Sequence, residues 1–317
     1  MQPLVSICIP TYNRAECLKQ TLDSIVIQTE FIDGRVDVVI SDNASTDNTK
    51  SLCKSYLGRY TGIHYYCNDE NIRDRNFPTV LSKATGKLRK LNNDTAILEP
   101  GSLTYLCEME QKYENSRPLL FFSNGNRVKY TGTEDNVFTF QSFVKKTSYW
   151  VTWIASFSIW EDECVDICKN YKCCELLLWQ VGKIYEIGSR IDAVAVCPRK
   201  IIHSIAPQKK NISYGIYKVF YENYLSIIDV YVKNGSISSD VRDYLEKDLF
   251  INFFPEWIVK WELNDSKLQY SENENLKEMV FNQCRNKPYW RLFLNVYNYR
   301  KAKAKIKIII EKLKEYI

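Results

Sequence analysis

Val36-Asp37-Val38-Val39-Ile40-Ser41-Asp42-Asn43-Ala44-Ser45-Thr46-Asp47-Asn48-Thr49 is the stretch whose reading decides the fold. Its β-branched apolar run, Val36 to Ile40, opens into Ser41, Asp42 and Asn43, small polar residues that favour turns and caps. The pattern predicts a buried strand that delivers a carboxylate to its own C-terminal end. In open α/β sheets ligands bind beyond the carboxyl ends of the strands, so Asp42 stands where a ligand would be read. Ser45, Thr46, Asp47 and Asn48 have the chemistry of a helix cap, with a helix running to about Tyr56. Taken alone, the stretch leaves open a plainer role in which Asp42 and Asp47 only cap turns.

The residues before it extend the pattern. Leu4 to Pro10 is a second short apolar run, followed by turn chemistry in Thr11-Tyr12-Asn13-Arg14. Leu18, Leu22, Ile25 and Val26 then recur at helical spacing. Strand, helix, strand, helix is the opening of a parallel α/β sheet. The two segments, Val5-Ser6-Ile7-Cys8-Ile9-Pro10-Thr11-Tyr12-Asn13-Arg14 and Ile40-Ser41-Asp42-Asn43-Ala44-Ser45-Thr46-Asp47-Asn48-Thr49, match in type, order and spacing, and together resemble the start of a family-two glycosyltransferase of GT-A fold, the type found in bacterial surface-polysaccharide synthesis. The resemblance implies a mixed, mostly parallel sheet flanked by helices, a nucleotide-sugar-binding catalytic domain over residues 1–205, and a helical C-terminal subdomain over 206–317. It places Pro10, Thr11, Asn13, Arg14, Asp42 and Asn43 around the donor, with Asp42 reading its base or ribose.

Composition agrees with a globular protein. The chain has 317 residues, 45% of them hydrophobic, enough for two domains or one large one with a real core. No run of eighteen apolar residues occurs, and Pro10, Asn13 and Arg14 interrupt the N-terminal apolar segment, so a cytoplasmic protein is expected. Eleven scattered cysteines, an odd number, suit reduced thiols. Cys164, Cys168, Cys173 and Cys174 cluster without zinc spacing. The net charge of +5 is modest, and no nucleic-acid partner is expected. Lysines at 301, 303, 305, 307, 312 and 314, with Arg300, surround Ile306, Ile310, Leu313 and Ile317, which fall on one helical stripe. Residues 299–317 therefore read either as a basic amphipathic helix lying on the inner face of the membrane or as an ordinary terminal helix with a solvated lysine face.

Farther along, Ile63 to Tyr66 reads as a third strand. The loop after it, through Asp74-Arg75-Asn76-Phe77, resembles the family's loop beside the nucleotide, making Asp74, Arg75 and Asn76 donor-contact candidates. A guanidinium offers a diphosphate paired donors in one plane. A fourth strand, Lys87 to Leu91, ends in Asn92-Asn93-Asp94-Thr95, where the family carries an Asp-X-Asp motif. There Mg²⁺ or Mn²⁺, which prefer hard oxygen ligands, bridge the donor diphosphate. Aligned without a gap to Pro100, Asn93 and Thr95 stand where the two aspartates would be; a slip of one residue makes Asn92-Asn93-Asp94 the motif. Only one carboxylate is present either way. Asp94 is the expected metal ligand, helped by Asn93, and His203 is a further candidate because neutral imidazole ligates Mn²⁺.

Trp150 to Trp160 resembles the acceptor-side segment, with Trp153 and Ser156 as sugar contacts, although three tryptophans there would equally suit plain core. An inverting transfer needs a general base for the acceptor hydroxyl. Two candidates stand: Glu175, expected to open a helix in partly desolvated surroundings, and Asp162, just after the aromatic segment. Ile184–Ile187 and Ala193–Val196 read as a closing hairpin, and from Ser204 onward the spacing predicts helices. The resemblance thus implies transfer of a sugar from a nucleotide-diphosphate donor to a glycan or lipid-linked glycan of capsule or O-antigen type. A glycan-binding relative with weak catalysis, or a sugar nucleotidyltransferase, are the rival readings, the second lacking a Gly-rich, Lys-bearing phosphate loop between Thr11 and Leu18.

Overall fold

In a computed structural model, residues 2–125, 128, 135–169, 171, 173–205, 210–211, 214–263, 268–269 and 275–314 are described. The chain divides into two compact units, Met1–Pro207 and Gln208–Ile317.

The first unit opens with β1 (Val5–Thr11), α1 (Ala15–Val26), the single turn α2 (Thr29–Ile32), β2 (Val36–Asp42), α3 (Thr49–Leu57), β3 (Ile63–Cys67), α4 (Asn76–Lys83) and β4 (Leu88–Leu91). After β4 come β5 (Ala96–Leu98), α5 (Ser102–Tyr113), β6 (Leu119–Phe122), β7 (Asn136–Phe138), α6 (Phe140–Thr147), β8 (Ser158–Trp160), α7 (Trp179–Ile191), β9 (Val194–Cys197) and β10 (Ile202–Ser204). The central sheet has the order β3-β2-β1-β4-β8, with β8 antiparallel to β4 and the other pairings parallel. A smaller sheet, β6-β9-β7, and the antiparallel pair β10-β5 complete the unit. This is the mixed, mainly parallel α/β architecture that the first fifty residues imply.

Every residue of β2 is buried, as a strand covered by helices on both faces must be. Val36, Val38 and Ile40 join Val5, Ile7 and Ile9 of β1 and Leu18, Leu22 and Ile25 of α1 in one apolar cluster. Each such side chain contributes roughly 1.5–3 kcal/mol on burial, which fixes the register of β1 on β2. In that register Thr11 stands opposite Asp42.

Two expectations fail here. Ile184–Ile187 lies inside α7 and is not a strand, because Val181, Ile184, Tyr185 and Gly188 form one buried helical face. The partners of β9 are instead β6, in a parallel pairing, and β7, in an antiparallel one. The aromatic segment 150–160 forms two short 3₁₀ turns and then β8. It is anchored by Lys90, which is 1% exposed and donates to the carbonyls of Leu91 (3.1 Å) and Ala155. Burial pushes the Lys90 amine down to about 7.

The second unit is helical: α8 (Tyr224–Lys233), α9 (Ser239–Asp248), α10 (Phe254–Glu262), α11 (Leu276–Cys284) and α12 (Trp290–Lys314), with the short parallel pair β11 (Lys210–Asn211) and β12 (Leu268–Gln269). Its core packs Tyr221, Phe250, Phe254 and Phe293 in edge-to-face and tilted ring contacts. Glu246, nearly buried, is satisfied by the Tyr221 hydroxyl (2.6 Å), Arg242 (3.2 Å) and Lys287 (2.8 Å). Among the described residues no helix is long and apolar enough to cross a membrane.

Gly86 sets the close approach of the chain to β1: a Cβ there would lie 2.5 Å from the Ser6 backbone nitrogen. Gly86→Ala is therefore expected to cost about 1–3 kcal/mol, read as a lower urea midpoint with unchanged slope. An unaltered midpoint would mean that β1 and β4 can part freely.

Candidate active site

The C-terminal ends of β1, β2 and β4 bring three loops together. Asn92 donates its backbone N–H to Cys8 (2.8 Å), so the 92–95 loop rises directly beside Pro10 and Thr11. There the Thr11 hydroxyl donates to Asp94 Oδ2 (3.0 Å), and Arg14 Nη1 donates to Asp94 Oδ1 (2.8 Å). Asp42, opposite Thr11 in the register, is fully buried and accepts from the Ser45 N–H (2.9 Å) and the Tyr65 hydroxyl (2.8 Å). Burial, and then the bond to Asp42, raise the Tyr65 phenol well above its usual range. Asp42 and Asp94 thus flank one residue, Thr11, at the C-terminal edge of the sheet.

Tyr65 is a site residue that sequence reasoning missed. Its only signal was its place in the third strand, one side chain before the strand's end. Asn13 adopts a left-handed φ of 51°, and its Oδ1 accepts the N–H of Thr46 (2.7 Å) while its own N–H donates to Ser45 Oγ (2.9 Å). Asp47 accepts from Ala15 N–H (3.0 Å) and from Thr49 N–H (3.0 Å), capping two helices at once. Burial alone would raise the Asp47 carboxyl, yet the bonds from Thr49 and Ala15 hold it below the usual range. The loops after β1 and β2 are in this way stitched into one rim.

Asn43 and Asn76 are spent inside the protein. Asn43 Oδ1 accepts from Ile72 N–H (2.9 Å) and Asn68 (3.2 Å), and its amide donates to Asn71 (2.8 Å). Asn76, 3% exposed, binds the Ser41 hydroxyl (2.6 Å), the Ser41 carbonyl (2.9 Å) and Asn68 (3.0 Å). These amides hold the 68–76 loop against the end of β2, a positioning task where a direct donor contact was expected.

That loop and the turn before α7 enclose a cavity of about 310 Å³ lined by Arg73, Asp74, Arg75, Cys174, Glu175 and Leu177 among others. Arg75 lies over the Tyr171 ring at 5.1 Å. Desolvation pushes the Asp74 carboxyl up to about 7. Glu175 lines the same cavity but is exposed, and α7 begins only at Trp179, so it neither opens a helix nor is desolvated as expected. The desolvated carboxyl of the pair is Asp74. A wider cavity of about 850 Å³ adjoins it, lined by Tyr65, Tyr66, Asn68, Asp69, Ile72 and Lys83 among others.

Four candidates fall elsewhere. Asp162 follows β8, whose Trp160 pairs with Leu88 at the start of β4, so it stands at the opposite edge of the sheet from Asp42, paired with Arg117 (3.1 Å). Ser156 is fully buried with its hydroxyl donated to the Trp153 carbonyl (2.6 Å), out of reach of any acceptor. Trp153 is half-buried and packs on the core, and Trp160 is core outright. His203 stands opposite Ile97 in the β10–β5 pair and meets Glu99 (3.2 Å) instead of Asp94.

The divalent ion implied at Asp94 is not matched by its surroundings. Both Asp94 oxygens are committed, to Thr11 and to Arg14, and its side chain is 3% exposed. Among the described residues no group of three or more His, Cys, Asp or Glu converges to hold a metal. The donor set does not fit a dication.

Residues 6–106 match the model of glycosyl transferase family 2, so this segment is similar to that family. Among curated proteins it is 32% identical to abequosyltransferase RfbV of Salmonella typhimurium over 46% of either chain. It is 46% identical to validoxylamine A glucosyltransferase of Streptomyces hygroscopicus subsp. jinggangensis over 18% of this chain and 13% of that one. The chain thus spans about half the length, or less, of these curated relatives. The fold matches Staphylococcus aureus TarS 1–349 solved with UDP-GlcNAc (TM-score 0.55, 14% identity, 97% of this chain and 92% of that one). It also matches a Pyrobaculum calidifontis mannosyltransferase solved with GDP-Man and Mn²⁺ (TM-score 0.55, 13% identity, 95% and 88%). These similarities define the GT-A fold.

Because folding raises the Asp74 pKa from about 4 to about 7, the native state holds its proton more tightly than the unfolded chain does. This group's contribution to stability is full below about pH 4 and is lost as pH rises through about 7. Asp74→Asn is expected to remove that loss, so the urea stability of the variant should gain on the parent between pH 5 and 8. A parent and variant that track each other would mean that Asp74 is solvated.

Proposed function

We propose that the protein transfers a sugar from a nucleoside-diphosphate donor to a glycan or lipid-linked glycan acceptor, by inverting single displacement, in synthesis of a bacterial surface polysaccharide of capsule or O-antigen type. The observation that carries the reading is the meeting of Asp42, Asp94 and Arg14 around Thr11 at the C-terminal edge of a GT-A sheet. RfbV, a sugar transferase by name, and the solved relatives holding UDP-GlcNAc or GDP-Man support it.

In this mechanism Asp42, buried and bonded to Ser45 and Tyr65, holds in place the rim where the base or ribose would sit. Arg14, held by Asp94, meets the diphosphate, with Arg75 of the 68–76 loop as a second guanidinium. Glu175 takes the proton of the acceptor hydroxyl while that oxygen attacks the anomeric carbon from the face opposite the departing nucleotide. Asp74, in the same cavity and with a pKa near neutrality, is the group to which that proton can pass.

A screen of UDP, GDP, CDP and dTDP sugars, read by release of nucleotide, tests the reading. One donor class should turn over, and Glu175→Gln should lower kcat by about 100-fold or more. Binding of glycans without any nucleotide release or binding would point to a non-catalytic glycan-binding protein; turnover within a few-fold of the parent would remove Glu175 from the base role, and a loss on Asp74→Asn alone would transfer that role to Asp74.

We also infer peripheral contact of the basic C-terminal helix, from Tyr299 onward, with an anionic membrane surface; Ile317, the end of the stripe, lies outside the described residues. Tyr299, Ile306, Ile309, Ile310 and Leu313 of α12 are exposed large apolar side chains among lysines, surface that a lipid boundary would cover. The parent protein should co-sediment with phosphatidylglycerol vesicles, and Ile306→Ser with Ile310→Ser should release it. Equal partitioning to neutral phosphatidylcholine vesicles, or none to either, would refute it.

A further inference from the structure

We infer that in this protein the Arg14 guanidinium, held by Asp94, occupies the electrostatic place of the divalent ion, so that donor binding and transfer proceed without a metal. The inference rests on the glycosyltransferase reading above and goes beyond it by assigning the charge that meets the diphosphate.

Charge bookkeeping is the first ground. A dication held by two aspartates presents a neutral site whose cation faces the ligand. A guanidinium held by one aspartate is likewise neutral, with its cation outward. Asn92-Asn93-Asp94-Thr95 carries one carboxylate, Asp94, where the family resemblance implies two, whichever of the two alignments is taken. Keeping a second aspartate beside Arg14 and Asp94 without a dication would leave an uncompensated buried negative charge, which is costly.

Geometry is the second. Asp94 is turned inward, its Oδ1 on Arg14 Nη1 (2.8 Å) and its Oδ2 on the Thr11 hydroxyl (3.0 Å), while its backbone carbonyl accepts from buried Thr21 (2.9 Å). With 3% of its side chain exposed, it offers no outward lone pair around which an ion could complete its oxygen shell. Arg14 is the converse, with 29% of its side chain exposed. A guanidinium carries five N–H donors in a rigid fork, and Asp94 takes one, so several remain for the bidentate contact that a phosphate favours. His203, the remaining conceivable ligand, is engaged by Glu99.

The chemistry closes without another participant. The bond from the anomeric carbon to the β-phosphate oxygen breaks as the bond from the acceptor oxygen forms, and the nucleoside diphosphate leaves with the electron pair. Arg14 stabilises the negative charge that develops there, and the acceptor proton goes to the carboxylate base.

Calorimetric titration of the full chain with UDP, GDP, CDP and dTDP, in EDTA and again in Mn²⁺, tests the inference without relying on turnover. The expected result is that the nucleotide that binds does so with Kd values agreeing within about threefold in the two buffers. Arg14→Met should weaken it about ten- to hundredfold with no rescue by Mn²⁺, and Arg14→Lys should fall between, since charge is kept and the fork lost. Binding confined to the Mn²⁺ buffer, or Arg14→Met binding like the parent, would overturn the inference while leaving the glycosyltransferase reading intact. If no nucleotide binds in either buffer, that broader reading fails and this one falls with it. Should Arg14→Met not fold, the comparison of buffers on the parent and the Arg14→Lys titration still decide.

Discussion

The hydrogen bond from the Thr11 hydroxyl to Asp94 is the contact on which the site depends. Thr11 is the last rung of β1, held opposite Asp42 by a register in which Val5, Ile7 and Ile9 face Val36, Val38 and Ile40. A slip of one residue would turn those buried side chains to the other face of the sheet, so the core of the domain and the meeting of the two carboxylates are one constraint. The hydrophobic effect sets the register, and the register brings a carboxylate from the end of β2 and another from the loop after β4 to the same threonine.

Around that contact the loops are rigid because side chains replace the backbone bonds that loops lack. Asn13 bridges the first loop to the second, Asp47 caps α1 and α3 together, and Asn43, Asn68 and Asn76 tie the 68–76 loop to the end of β2. Several residues of this rim are held at positive φ without being glycine: Asn13 (51°), Ala44 (61°), Arg73 (51°) and Leu177 (57°). Such conformations cost on the order of 1–3 kcal/mol each and persist where the surroundings over-determine them. Four of the nine such residues described lie on these loops and on the turn before α7.

The charges follow the same logic. Asp42 and Asp94 are buried and hydrogen-bonded, so they act as fixed acceptors, and the positive groups Arg14, Arg73 and Arg75 are the ones left partly exposed. Of these cations Arg14 has its orientation set by a buried carboxylate, Asp94, and Arg75 lies over the Tyr171 ring. Asp74 lies in the cavity it shares with Glu175.

The sequence by itself determined the alternation of strand and helix, the burial of Val36 to Ile40, and the arrival of Asp42 and Asp94 at strand ends, because period and turn chemistry are local properties. It also showed a single carboxylate, Asp94, in Asn92-Asn93-Asp94-Thr95, where the resemblance implied two. Only the tertiary structure decided where the side chains were spent. Trp153 and Ser156 read as sugar contacts, with plain core the equal alternative for the tryptophans, until packing buried Ser156, and the antiparallel course of β8 carried Asp162 to the other end of the sheet. Nothing local distinguished Tyr65 as the partner of Asp42, marked Asp74 as the desolvated carboxyl beside Glu175, or paired Arg14 with a residue eighty positions away. Burial and partnership are properties of what surrounds a side chain, and those surroundings exist only once distant segments have packed.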